Sequence, residues 1–366
     1  MKKLFLLTLL FAQLASYAQT TYKGLPVIRA NSMKADYRFN DWWSRGSWTI
    51  SPNISPDPID FFAGKNDIQF AFYTDIDSIA FPVNRETKKQ FYVLTAKGDY
   101  ALTEVRSLQL TGIGFDNKAT SEGYKFQYQT SANNKYLQTL REQYQLDKVV
   151  ENKQTETEKA LALLHWVHSQ WKHDGDNEPK KSDALSILAE VKEGKNFRCV
   201  EYGIVGTAAM NAMGMPARVL ALKTKDVETT EYGAGHVLME VFLKEHNKWV
   251  LMDGQFDVMP VLNNVPLNAV EFQHAIENNY DELELRSGVG TRKHNYVSWV
   301  YPYLYYFDIK FDNRQLVDEQ PVNYNGKKGL MLVPTGAKQP TVFQKQYPIT
   351  YCAYTNSLAD FYAAPF

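Results

Sequence analysis

Residues 196–224 read NFRCVEYGIVGTAAMNAMGMPARVLALKT, and the fold follows from them. Small and apolar residues recur at Cys199, Val200, Gly203, Ile204, Ala208, Ala212 and Met213 with helical spacing. Asn196 offers an N-cap, Gly214 a stop, and Pro216 forbids continuation, after which Ala217 to Leu222 reads as a buried strand. Cys199, one of two cysteines in 366 residues, therefore falls in the first turn of the helix. There the unpaired N–H groups and the dipole favour an anion, and Arg198 adds positive charge. Such a place favours the thiolate, the attacking form in acyl transfer. A cysteine taken alone is more often a small buried apolar residue, so its partners downstream decide the matter.

Residues 233–257 read GAGHVLMEVFLKEHNKWVLMDGQFD. Two apolar runs, 236–243 and 249–253, flank the polar 244–248 in a hairpin pattern. Folding the chain at the midpoint of that turn sets His236 and Asp253 at the same level on neighbouring strands. A one-residue slip would turn one of them to the wrong face. A thiol at a helix N-terminus, then a histidine and an aspartate on paired strands, supplies a nucleophile, a base and a carboxylate to orient the base.

As a set, Cys199, the strand entry Gly214-Met215-Pro216-Ala217-Arg218, His236 opening one strand and Asp253 ending the next resemble the transglutaminase-like superfamily of papain-fold enzymes. The fragment Arg198-Cys199-Val200-Glu201-Tyr202 is also similar to the peptide:N-glycanase branch. The resemblance spans residues 134–271 and implies an α+β fold: a papain-like core with helices first and an antiparallel sheet after. It implies catalysis by Cys199, His236 and Asp253. It implies too an upstream oxyanion donor, for which Gln170 and Trp171 are candidates, although Trp171 reads as core on residue type alone. Arg198 and Val200 stand where animal transglutaminases carry Gln and Trp, which argues against protein cross-linking. Nearby, Gly235 in the Gly233-Ala234-Gly235 run would let substrate backbone approach or a loop move. Arg218 reads as a structural ion-pair partner, and Glu201 as a cap for N–H groups of the first helical turn.

Residues 1–18, MKKLFLLTLLFAQLASYA, have the lysines, apolar run and small residues of a secretory signal cleaved after Ala18. Export to the periplasm or the extracellular space is expected, with no membrane span after cleavage. Without Lys2 and Lys3, 38 basic residues face 41 acidic ones, and a formal charge of −3 makes neither nucleic acid nor an anionic membrane an obvious partner. Two cysteines in a long chain do not make a disulfide framework, and free thiols are favoured, Cys352 as a buried residue of a C-terminal strand.

A β-rich domain is expected over 19–133, from the strand-like QFAFYT (69–74), SIAFPV (78–83) and QFYVLTA (90–96). SPNISPDP (51–58) is too proline-rich for a regular element. Trp42, Trp43, Trp48, Phe61 and Phe62 read as core before they read as a sugar- or peptide-binding platform. The catalytic core is expected over 134–298. It begins with a helix through Leu137 and Leu140, another over 156–171 with Thr155 and Glu158 as a capping box, and a third over 182–191. His165, His168 and His173 lack the partners of a closed metal set, and HDGDNEP (173–179) lacks the distal glutamate of a calcium loop. No cofactor or metal is expected. A β-rich extension over 299–366, starting at the aromatic run WVYPYLYYFDIKF (299–311), is expected to pack on the core, where its aromatics could wall the substrate cleft.

The function expected is hydrolysis or acyl transfer on a peptide, glycopeptide or cell-wall peptide amide through a Cys199 thioester. The competing readings are a cross-linking transglutaminase and a non-catalytic module that holds peptide or glycan. Oligomeric state is left open.

Overall fold

The computed structural model describes residues 21–108, 110, 112–120, 122–129, 134–314 and 320–365; the expected signal segment, 1–18, lies outside them. The chain divides into two units, 1–108 and 109–366.

The first unit is all β. A five-stranded sheet has Leu25–Ala30, Lys88–Thr95 and Tyr100–Ser107 at its centre, and a four-stranded sheet is built from Lys34–Phe39, Trp42–Thr49, Ile68–Tyr73 and Ser78–Val83. Alternating residues of both fill one core with Ile28, Phe39, Phe61, Phe70, Phe72, Phe91, Val93 and Val105. Trp42 and Trp48 pack against that core, and Phe62 is buried. Trp43 alone of the cluster is exposed, stacked on Tyr73 with Arg38 and Arg45 over its ring. Strand Asp57–Phe61 begins inside the proline-rich stretch expected to be irregular. It lies at the edge of its sheet, where Pro58 needs no ladder hydrogen bond.

The second unit is α+β. Helices Lys135–Gln143, Glu156–Ser169, Ala184–Lys192 and Cys199–Ala212 come first, and the Thr155–Glu158 capping box opens the second. A six-stranded sheet succeeds them in the order Lys248–Met252, Gly235–Leu243, Ala217–Lys223, Tyr306–Lys310, Gly329–Leu332, Cys352–Thr355. All pairings are antiparallel except the last. The C-terminal strands thus continue the sheet of the core instead of forming a layer upon it. The aromatic run that opens the expected β-rich extension begins in helix Lys293–Val300 and a 3-10 turn, Tyr301–Tyr303, before strand Tyr306–Lys310.

The boundary between units falls after Leu108 and not at 133, because the intervening segment belongs to this sheet's surroundings. Asp116 bridges Ser357, Gln127 bridges Asp312, and the Tyr128 ring lies 4.9 Å from Trp249.

Helix Cys199–Ala212 is buried along most of its length between the other helices and the sheet. Gly203 sets how close it comes: a Cβ there would lie 2.9 Å from the Leu238 carbonyl oxygen and 3.1 Å from Val237 Cγ1. Since backbone cannot swing aside, Gly203→Ala is expected to push the helix off the His236 strand. We expect a loss of about 1–3 kcal/mol in urea unfolding.

Candidate active site

Arg198 is the N-cap of the Cys199 helix, in place of the expected Asn196. Its N–H donates to Glu201 Oε2 at 3.1 Å and its guanidinium to Glu201 Oε1 at 3.0 Å, so Glu201 serves the helix start. Asn196 is drawn elsewhere, its Oδ1 accepting from the Lys172 N–H. Cys199 is the first helical residue and is partly exposed, while Cys352 is buried; both are free thiols.

His236 is the second residue of its strand. The register pairs Met239 with Met252 and Val241 with Val250. Extended by one residue, it sets Asp253 level with Leu238, two positions along from His236. The offset is even, so both side chains stay on one face and meet diagonally. His236 Nε2 lies 2.8 Å from Asp253 Oδ2, with both groups fully buried. With Nε2 on Asp253, Nδ1 is the nitrogen left for a proton donor such as Cys199, which is near enough to contribute to the imidazole pKa. Burial alone would pull the imidazole pKa down; Asp253 and then Cys199 outweigh it and raise it to about 9.

Asp253 has further partners. Its Oδ2 accepts from Tyr296 Oη at 2.8 Å, and its Oδ1 from the N–H groups of Gln255 and Phe256 at 3.0 and 3.3 Å. Burial and the Asp253 charge hold the Tyr296 phenol well above its ordinary value, so it remains a donor. The Trp299 ring packs edge-on to His236 at 4.7 Å, and Tyr303 and Phe256 complete an aromatic collar. Burial, and then the charge of Cys199, raise the Tyr303 phenol. His173 is lowered by burial and then by His236, and its backbone bridges Phe197 close to Cys199.

Tyr296 was not expected at the site, whereas Trp299 and Tyr303 belong to the aromatic run expected against the core and the cleft. The signal for Tyr296 is the helical spacing of Tyr296, Val297 and Val300, hidden in a run whose aromatics equally suit a strand.

Three expected contributors are placed otherwise. Gln170 Nε2 turns back to the Trp166 carbonyl at 2.8 Å. Trp171 stacks on Tyr202 at 4.2 Å and gives its indole N–H to the Phe197 carbonyl at 3.3 Å, the role of a core residue. Neither presents a donor to an oxyanion beside Cys199. At Gly235 the space is filled by Phe343, whose ring atoms would lie 3.1 Å from a Cβ, so the close approach there serves this chain's own C-terminal hairpin. Among the described residues no group of three or more His, Cys, Asp or Glu could hold a metal. No described helix is long and apolar enough to cross a membrane.

A family model described as the transglutaminase-like superfamily matches residues 144–254, a segment that includes Cys199, His236 and Asp253. No curated protein matches the sequence. Among solved structures, a candidate cysteine protease from Cytophaga hutchinsonii is 16% identical over 52% of this chain and 57% of its own length, with a TM-score of 0.27. The periplasmic domain of TgpA from Pseudomonas aeruginosa is 13% identical over 62% of this chain and 91% of that domain, with a TM-score of 0.25. Red sea bream transglutaminase is 8% identical over 62% and 49%, also at 0.25. The chain thus spans little more than half of the first of these, and superpositions at such scores add nothing to the geometry. The chain carries, in residues 144–254, a core of the transglutaminase-like superfamily.

Proposed function

We propose that this protein is an exported thiol amidohydrolase acting on a peptide, glycopeptide or cell-wall peptide amide. The observation that carries the reading is the buried His236–Asp253 pair at 2.8 Å, with Cys199 at the start of its helix near enough to help raise the same imidazole. Cys199 Sγ attacks the amide carbonyl carbon, and the oxyanion develops beside the Cys199 N–H at the helix N-terminus. His236 Nδ1 holds the thiol proton and gives it to the departing amine as the C–N bond breaks, leaving a thioester on Cys199. Water then attacks the thioester, His236 takes its proton, and the thiol leaves with that proton as the acid is released. Asp253 keeps the imidazole in the required tautomer and stabilises its charged form. The export assignment rests on residues 1–18 and accords with the periplasmic domain among the similar structures.

Hydrolysis is preferred to cross-linking because Arg198 and Val200 flank Cys199, and no amine site is legible.

The test is alkylation of Cys199 by iodoacetamide against pH, mapped by peptide mass, in the wild type and in His236→Ala. We expect the wild type to react at neutral pH about 10-fold or more faster, and His236→Ala to show an ordinary thiol profile. Equal profiles would reject the enzyme and favour a binding module. A labelled amine recovered on a Gln-containing protein, in place of free acid, would instead indicate transamidation.

A further inference from the structure

Asp253 opens a tight turn in which its backbone exchanges hydrogen bonds with Val258, at 2.8 and 3.1 Å. That turn is gripped from helix Glu156–Ser169. His168 Nδ1 lies 3.2 Å from the Gly254 carbonyl oxygen and 3.1 Å from that of Gln255. Carbonyl oxygens only accept, so Nδ1 bears the proton and donates to both. One turn earlier on the same helix, His165 Nδ1 meets Asp257 Oδ2 at 3.1 Å.

Asp257 is itself fixed. It is buried, stands at a φ of +54°, and its Oδ2 also accepts from the N–H groups of Gly288 and Val289 at 2.7 and 3.1 Å. A Cβ on Gly288 would lie 2.7 Å from His165 Nδ1 and 3.0 Å from Asp257 Oδ2, so only glycine fits the junction. On the far side Thr291 Oγ1 donates to the Phe256 carbonyl at 2.7 Å. A Cβ on Gly254 would come within 3.2 Å of both Val167 Cγ1 and Tyr202 Cβ. The turn therefore has little room to move while the two imidazoles hold it.

We propose that His165 and His168 are positioning residues: together they clamp the 253–258 turn and so fix the Asp253 carboxylate on His236. The catalytic consequence rests on the thiol-enzyme reading above, whereas the clamp itself does not. A shift of about 1 Å in such a carboxylate is enough to cost about 100-fold in rate.

Two readouts test the proposal on the full-length protein. One is the low-field proton resonance of His236 Nε2–H on Asp253; the other is the rate of Cys199 alkylation by iodoacetamide at pH 7. In His168→Ala the resonance is expected to shift or broaden and the rate to fall on the order of 10- to 100-fold. His168→Asn, whose amide N–H can stand where Nδ1–H stood, should restore both. His165→Ala and His165→Asn should behave in the same way. If a melting curve shows His168→Ala unfolded, His168→Gln takes its place, since its longer amide keeps polarity but misplaces the donor. A folded variant without the Nδ1 donor, with resonance and rate unchanged, would overturn the clamp. Should wild type and His236→Ala alkylate alike, the enzyme reading fails, and the resonance still decides whether the clamp exists.

Discussion

Asp253→Asn is expected to lower the Cys199-dependent reaction by about 10³–10⁴-fold while the fold survives. The reason lies in the four donors around the carboxylate. Oδ2 receives His236 and Tyr296, and Oδ1 receives two backbone N–H groups. An amide has only one oxygen, so either orientation aims its NH₂ at donors. If the amide nitrogen faces His236, Nε2 must become the acceptor and the proton moves to Nδ1, the wrong tautomer for a base at Cys199.

The same substitution has a pH signature. His236 is raised from an ordinary value of 6.5 to about 9 by its partners. A basic group raised on folding stabilises the native state fully below its unfolded pKa, and that contribution is lost as pH rises through the folded one. The wild type should therefore lose about 3 kcal/mol between roughly pH 6.5 and 9. Urea unfolding across that window should show the slope in the wild type and a much smaller one in Asp253→Asn.

Arg218→Met is the second large effect, and it concerns stability. Arg218 has no exposure, and its Nε and Nη2 donate to Glu240 Oε2 at 3.0 and 2.6 Å. Its Nη1 reaches Tyr128 Oη at 3.2 Å and the Phe361 carbonyl at 2.9 Å, and the guanidinium lies 4.2 Å from the centre of the Trp249 ring. Removing the cation leaves Glu240 buried without its counter-charge, held among the described residues by Tyr362 Oη and the Ala269 N–H. We expect a loss of about 3–5 kcal/mol in urea unfolding. The double change Arg218→Met with Glu240→Leu should recover much of it, because a pair exchanged for apolar residues leaves no orphaned charge. A double variant no more stable than Arg218→Met would contradict this account.

The helix carrying Cys199 was legible because its signals are local: apolar spacing, a glycine stop and a proline. The His236–Asp253 partnership was legible for a subtler reason. The register differs from the simple midpoint by two residues, and an even error preserves the face. What stayed hidden was long-range. The aromatic collar comes from residues near 300, whose sequence suits strand and helix alike. Gln170, Trp171 and Gly235 have side chains or space claimed by neighbours that only tertiary packing brings together: the Trp166 carbonyl, the Phe197 carbonyl and the Phe343 ring. Residues 112–128 carry no periodic pattern of their own, because their partners are distant in the chain, among them 249, 312, 357 and 360.

The grip of the sheet on residues 361–363 bears on when the protein matures. Phe361 gives its carbonyl to Arg218, Tyr362 its hydroxyl to Glu240, and Ala363 its carbonyl to the Trp249 indole. These partners sit on the strands that carry or adjoin His236. A chain emerging N-terminus first has made Cys199, His236 and Asp253 long before it can seal the sheet around them. The sheet around the His236 strand is therefore closed from residues made more than a hundred positions after Asp253.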